Sequence, residues 1–453
     1  MENNPKAYIQ ANKERFLSDL FAKLCIPSIS SQSEHKPDMD RMAAHWRDYL
    51  LRSGMQKAEV FPTAGNSIVY AERIIDPKAK TILIYGHYDV MPVEPLDLWE
   101  SAPFEPEIRD GHVWARGADD DKGQTMIQAF GFQTALAMGW VQCNVKVIFE
   151  GEEEIGSTNL EHFCKEHREM LQADVIIVSD TGMLGADTPS LTAGLRGLAY
   201  WEIEVTGPNH DLHSGHFGGA VANPINELCK LIASVTDNKG RITVPGFYDD
   251  VVPLTDEERE MIAAAPFDEE AYKKQLGIDA VHGEEGFRTL ERNSCRPSFD
   301  VCGIWGGYTG EGAKTVLPSK AYAKLSSRLV ANQDHEKISQ MFVDYFTRIA
   351  PPYIKVKVTA LHGGEAYLCP LNLDAYRAAE EAYKRAFGKR PLAVRSGGSI
   401  PIIPAFERIL GIKSVLMGFG LSTNAIHSPN ENFPLDIYWK GIETIAEFYH
   451  CYR

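Results

Sequence analysis

Three short apolar runs, each emptying into proton- or metal-binding side chains, constrain this chain more than any other feature. Thr81-Ile82-Leu83-Ile84-Tyr85 leads into Gly86-His87-Tyr88-Asp89-Val90. Val145-Lys146-Val147-Ile148-Phe149 leads into Glu150-Gly151-Glu152-Glu153-Glu154-Ile155-Gly156-Ser157, and Asp174-Val175-Ile176-Ile177-Val178-Ser179 ends at Asp180. Such runs read as buried strands, and in a mostly parallel α/β sheet their ends meet along one edge, where ligands bind. Taken alone, the His87 ending reads more readily as a polar strand end facing water, and the glutamate run equally well as a water-facing loop. Their repetition favours a site. Glutamates crowded at the exit of a buried strand repel one another, so protons or a dication must compensate them.

The loop Arg116-Gly117-Ala118-Asp119-Asp120-Asp121-Lys122-Gly123 adds Asp120 to that edge. It lies between a hairpin turning at Asp110-Gly111 and a helix predicted over Met126 to Met138. Asp89 is placed to accept the proton of the His87 nitrogen that faces away from a metal. The reading is a metal site of one histidine and several carboxylates, a donor set that suits zinc, manganese or cobalt.

A chain of 453 residues is too long for one compact core, so two domains, or one with a large insertion, are expected. Amphipathic spacing predicts two opening helices, with His45 a surface or half-buried residue on the second. From Gly197 the texture changes. Tyr200 to Val205 alternates as a half-buried strand should, and a loop rich in glycine and histidine, Gly207 to Gly219, precedes a helix near Pro224 to Ile232. Thr236 to Arg296 reads as a charged peripheral insertion with short helices. A strand over Ala321 to Leu329, a helix over Glu336 to Ile349 and a strand over Ile354 to Thr359 complete a small α+β domain. His210 and His216 read as hydrogen-bonding loop residues. Beyond Gly363 the chain returns to the character of its first part. There Gly397-Gly398-Ser399 reads equally as backbone donors for an anion or as a plain turn, and His427 is the second candidate imidazole ligand.

The acidic excess, 62 Asp and Glu against 46 Lys and Arg, excludes general affinity for nucleic acid or anionic membranes. No apolar run approaches the ~20 residues needed to span a bilayer. Met1 to Lys6 are followed by no apolar leader, which makes a cytoplasmic address the default. The eight cysteines contain no Cys-x-x-Cys pair and read as free buried thiols without chemistry.

In order, Gly86-His87-x-Asp89-Val90, Gly117-Ala118-x-Asp120-Asp121-Lys122-Gly123 and Glu150-Gly151-x-Glu153-Glu154-x-Gly156-Ser157 resemble a known family over nearly the whole chain. It is the co-catalytic zinc peptidase family of carnosinase-type and bacterial dipeptidases, carboxypeptidase G and the acetylornithine and succinyl-diaminopimelate deacylases. The resemblance implies an α/β catalytic domain built on a mixed sheet, from residues 1–195 and 365–453, and an inserted α+β lid over 196–364 that makes a homodimer. It implies two divalent ions per subunit, zinc first and manganese or cobalt as alternatives. Asp120 would bridge them, with His87 and Asp180 on one and Glu154 and His427 on the other. Glu153 would be the general base and Asp89 the partner of His87. The run Glu152-Glu153-Glu154 leaves the register open on spacing alone, and the family's pattern puts Glu152 at the variable place.

In the lid, Asp211-Leu212-His213-Ser214-Gly215 matches the position whose histidine, in relatives, polarises the scissile carbonyl in the neighbouring subunit. Arg328 matches a clamp for the substrate carboxylate, and Thr315, Gly398 and Ser399 match further substrate contacts. An aspartate at Asp180, where the deacylases and carboxypeptidases generally have glutamate, points within the family to dipeptides. So does the large insertion from Thr236 to Arg296. The expected activity is therefore metal-dependent hydrolysis of a dipeptide. The alternatives are deacylation of an N-acyl amino acid and a silent binding protein on the same fold.

Overall fold

The computed structural model describes residues 4–453, the side chain of Glu257 apart; Met1 to Asn3, where the reading of a missing leader begins, lie outside the described residues. The chain forms two compact units. The first comprises the residues up to Ala193 with Cys369–Val394 and Ile402–Arg453, the second Gly194–Leu368 with Arg395–Pro401.

The first unit is built on a mixed sheet. Its strands run in the order Lys57–Phe61, Ile68–Arg73, Asn144–Glu150, Thr81–His87, Val175–Val178, Ser414–Leu416 and Ser190–Leu195. The middle four are mutually parallel and the flanking pairs antiparallel. The central strand Thr81–His87 is apolar without alternation because both its faces are covered, and Ile82, Leu83, Ile84 and Tyr85 are all buried. The helices Pro5–Leu24, Lys122–Ala137 and Leu435–Cys451 pack on one another, with Phe16 stacked on Phe130 at 4.1 Å. The second of these is buried on nearly every side, which is why it carries no polar face.

The second unit holds a four-stranded antiparallel sheet in the order Ser298–Gly306, Lys320–Leu329, Gly197–Thr206, Lys355–Gly364. Gly197–Thr206 alternates buried and half-buried positions along its length. Its inward Trp201, Ile203 and Val205 pack with Leu228 of the helix Pro224–Ala233 and with Phe342 and Phe346 of the helix His335–Ile349. The insertion forms the short helices Asp256–Ala264, Glu269–Leu276 and Thr289–Ser294.

Two details depart from the sequence reading. The cysteines are all free, but Cys25, Cys229 and Cys302 are exposed and only Cys143, Cys164, Cys295 and Cys369 are buried. An absence of close Cys pairs excludes bridges without deciding burial. The segment Arg395–Pro401, inside the stretch expected to be catalytic, groups with the second unit. No helix among the described residues is long and apolar enough to cross a membrane.

The first unit also contains a lysine that burial penalises. Lys23 Nζ is buried without a hydrogen-bond partner among the described residues, over the rings of Tyr49 at 3.7 Å and Trp46 at 4.3 Å. Burial pulls its ammonium down from 10.5 to about 7. A base with a depressed folded pKa makes the charged form costly. That cost is complete below pH 7 and disappears as pH rises to 10.5, where the unfolded chain also loses its proton. Lys23→Met is expected to stabilise the protein by about 1–3 kcal/mol near pH 6. In thermal melts the gain should shrink steadily toward pH 10; no gain at pH 6, or one growing with pH, would contradict this.

Candidate metal centre

Strand pairing brings the expected groups to one edge. His87 is in register with Glu150 on one side, and Tyr85 with Val178 on the other, so the three strand exits lie side by side. His87, fully buried, turns its Nε2 to Asp120 Oδ1 at 3.1 Å and to Asp180 Oδ2 at 3.9 Å. His427, half exposed, turns its Nε2 to the other oxygen of the same carboxylate, Asp120 Oδ2, at 2.8 Å and to Glu154 Oε2 at 3.1 Å. Two groups of side chains that could hold a metal result, His87–Asp120–Asp180 and Asp120–Glu154–His427, and Asp120 is common to both.

Asp89 braces this arrangement from below. Its carboxylate lies 3.3 Å from His87 Nδ1 and accepts the backbone N–H of Glu153 at 3.3 Å and of Glu154 at 3.1 Å. One buried side chain thus orients an imidazole and fixes the start of the glutamate turn. Neighbouring acids are committed elsewhere. Asp121 Oδ2 accepts the N–H of His87 at 3.1 Å and the hydroxyl of Thr125 at 2.6 Å, and Asp119 Oδ2 accepts Asn424 Nδ2 at 2.8 Å. Glu152 is turned away, accepting Asn66 N at 2.7 Å and Asn159 Nδ2 at 2.8 Å, while Glu150 takes the hydroxyls of Tyr85 and Ser157. Of the run whose register spacing left open, Glu154 thus lies in a group that could hold a metal, and Glu152 is hydrogen-bonded to Asn66 and Asn159.

Gly86 makes room for this packing. A Cβ there would meet Thr125 Oγ1 at 2.5 Å and Asp121 Oδ2 at 3.1 Å. Gly86→Ala is expected to cost about 1–3 kcal/mol in urea melts of the metal-free protein, because two buried, hydrogen-bonded side chains must shift together. An unchanged midpoint would show that they yield freely.

Burial and mutual contacts shift the proton affinities of these groups. Burial, with its acidic neighbours, drives Asp180 well above the carboxylate range and Glu153 up to about 8, and burial raises Glu154 too. For Asp120 burial acts in the same direction, but its contacts with His427 and His87 prevail and hold it below the usual range. His427 is raised to about 10 by Asp120 and Glu154. Burial opposes a charge on His87, yet Asp120 and Asp89 carry it well above normal. Glu154 Oε1 is buried with no hydrogen-bond partner among the described residues, an acceptor still to be satisfied. Imidazole nitrogens and carboxylate oxygens in two sets sharing one residue fit a pair of divalent ions.

In the second unit, Arg328 Nη1 donates to Ser399 Oγ at 2.8 Å, and Ser399 Oγ donates to the carbonyl of Arg196 at 2.5 Å. Arg196 also donates from its backbone to Gly398 O at 3.1 Å and from Nε to Gly397 O at 3.0 Å, so it holds the glycine turn. The N–H of Gly398 is spent on Ser396 Oγ at 3.2 Å. His213 is exposed; its Nδ1 accepts the N–H of Gly215 at 3.0 Å, which leaves the proton of the neutral ring on Nε2. Thr315 adjoins it, its carbonyl accepting the N–H of Ser214 at 3.1 Å.

Sequence reasoning missed Arg196, Asn424, Arg116 and Glu431. The last two form a buried ion pair of 2.8 Å beside the Asp120 loop. An arginine before a glycine and a glutamate between asparagines carry no periodic signal, and their partners lie hundreds of residues away.

Residues 83–450 match the profile of peptidase family M20/M25/M40. The Cys-Gly metallodipeptidase of Candida albicans is 32% identical over 469 aligned residues, which cover 98% of this chain and 96% of that protein. Among solved structures, an M20 family metallo-carboxypeptidase from Sulfolobus solfataricus is similar at 35% identity and a TM-score of 0.87, with 96% of this chain and 99% of that chain covered. Human carnosine dipeptidase 1 is similar at 30% identity and a TM-score of 0.81, covering 98% and 97%.

Proposed function

The chain belongs to peptidase family M20/M25/M40, and from that premise we propose that it hydrolyses dipeptides at a centre of two divalent ions, zinc in the native protein. The observation that carries the reading is the sharing of Asp120 between two ligand groups, with Glu153 beside them and outside both. The dipeptidases of Candida albicans and human origin support the substrate class.

Divalent ions held by His87, Asp120, Asp180, Glu154 and His427 would supply Lewis acidity, which polarises the substrate carbonyl and makes water acidic enough to attack near neutral pH. The remaining work falls to the chain. Glu153 takes the proton of the attacking water and returns it to the leaving amine. Asp89 keeps His87 in the tautomer that presents Nε2. His213, with its proton on Nε2, serves the centre of the neighbouring subunit, donating to the carbonyl oxygen as negative charge develops there. Arg328 takes the C-terminal carboxylate, with Ser399, Gly398 and Thr315 as its neighbours in recognition. We assign a homodimer formed through the second unit, and a cytoplasmic address with which eight free cysteines agree.

The Sulfolobus metallo-carboxypeptidase supports a second reading, release of the C-terminal residue from longer peptides. Rates on a dipeptide and on the same sequence extended by one and two N-terminal residues separate the two. A dipeptidase loses activity with each extension, whereas a carboxypeptidase keeps or gains it. Metal analysis of protein purified without added metal identifies the native ion.

A further inference from the structure

The loop that carries His427 is held in a conformation its sequence does not favour. Ala425, His427 and Asn430 all have positive φ, 55°, 58° and 63°, in the left-handed region that the Cβ of alanine and histidine disfavours. Something must hold it there. Glu431, fully buried, is the group placed to do so. Its Oε2 accepts Arg116 Nη1 at 2.8 Å and Gly117 N at 2.9 Å, and its Oε1 accepts Asp119 N at 2.9 Å and Asp120 N at 3.0 Å. The contact between Asn424 and Asp119 and a backbone bond from Asn432 to Asn424 close the same loop. Every donor to the Glu431 carboxylate lies on the segment that carries Asp120, and Glu431 follows His427 by four residues. His87 is anchored differently, by its strand ladder, Asp89 and Asp121.

We propose that Glu431 is a positioning residue that clasps the His427 loop to the Asp120 loop and so sets the geometry of the Asp120–Glu154–His427 group. The other group shares only Asp120 with the clasp, since His87 and Asp180 sit at strand exits. The inference rests on the metal centre proposed above and adds an asymmetry to it. A carboxylate that served only to neutralise Arg116 would, when altered, lower stability without favouring one metal position over the other.

The test is calorimetric titration of chelated wild-type protein, E431Q and E431D with manganese(II) alone, beside thermal melts of the metal-free forms. E431Q turns an amide donor toward Arg116 and Gly117, while E431D keeps the charge but falls one methylene short of the loop. Wild type is expected to bind two ions. Both variants should keep one within about threefold and bind the other about 10–100-fold more weakly, the range seen when groups behind metal ligands are removed. The spin-coupled manganese pair of the wild type should give way to a mononuclear resonance signal. Should E431Q melt below the titration temperature, E431D decides alone. Equal weakening at both positions, or no weakening with a lowered melting temperature, overturns the inference and leaves the metal centre standing. Fewer than two ions in the wild type would instead overturn the metal centre itself.

Discussion

Glu153→Ala is expected to retain both metal ions and to lower kcat for dipeptide hydrolysis by about 10²–10⁴-fold, the range of a lost general acid–base. Glu153 belongs to neither ligand group, so metal content should not change. It is nevertheless held beside them, because Asp89 fixes its backbone N–H and the turn Glu153–Ile155 presents it at the strand exit. Burial and the neighbouring acids Asp120 and Glu154 raise its proton affinity to about 8 in the metal-free centre. The loss should fall on kcat with KM little altered, since the residue acts on the reacting atoms and does not bind the rest of the substrate. Glu153→Gln, of the same shape without the acceptor, should behave alike. Retained turnover in both would move the base elsewhere.

Asp120→Ala has the larger structural consequence. It removes the residue common to both groups and leaves the two imidazoles facing each other across a gap, one on each side of the missing carboxylate. Measured by metal analysis after dialysis, content should fall from two ions to less than one, with activity reduced by ~10⁴-fold or more. Metal should cease to raise the melting temperature. The metal-free variant should still fold, since Glu431 holds the backbone of this loop through the N–H of residue 120 whatever its side chain. Two ions retained in Asp120→Ala would mean that the carboxylate does not bridge.

Part of this candidate centre was legible in the sequence because His87, the glutamate run and Asp180 follow apolar runs that read as buried strands, whereas Asp120 and His427 lie on loops. His87, the glutamate run and Asp180 announce themselves by position, and a parallel sheet brings such ends together whatever the loops do. The change of alternation at Gly197 lies close to the unit boundary after Ala193. Three things were not legible. Spacing could not separate Glu152, Glu153 and Glu154, because the turn that points one into the scaffold and another at His427 depends on Asn66, Asn159 and Asp89. The pairing of Glu431 with the Asp120 loop was invisible because its acceptors meet mainly backbone N–H groups, which no side-chain pattern encodes. Lys23 reads as one more polar position on an amphipathic helix, yet it points inward onto Trp46 and Tyr49.

The most direct test of the central claim is hydrolysis of a mixed dipeptide pool by the purified protein, assayed as prepared, after chelation, and after return of zinc or manganese. The account predicts cleavage that chelation abolishes and added metal restores, with Glu153→Ala silent under every condition. Cleavage that survives complete removal of metal, or no cleavage of any dipeptide with two ions confirmed bound, would contradict it.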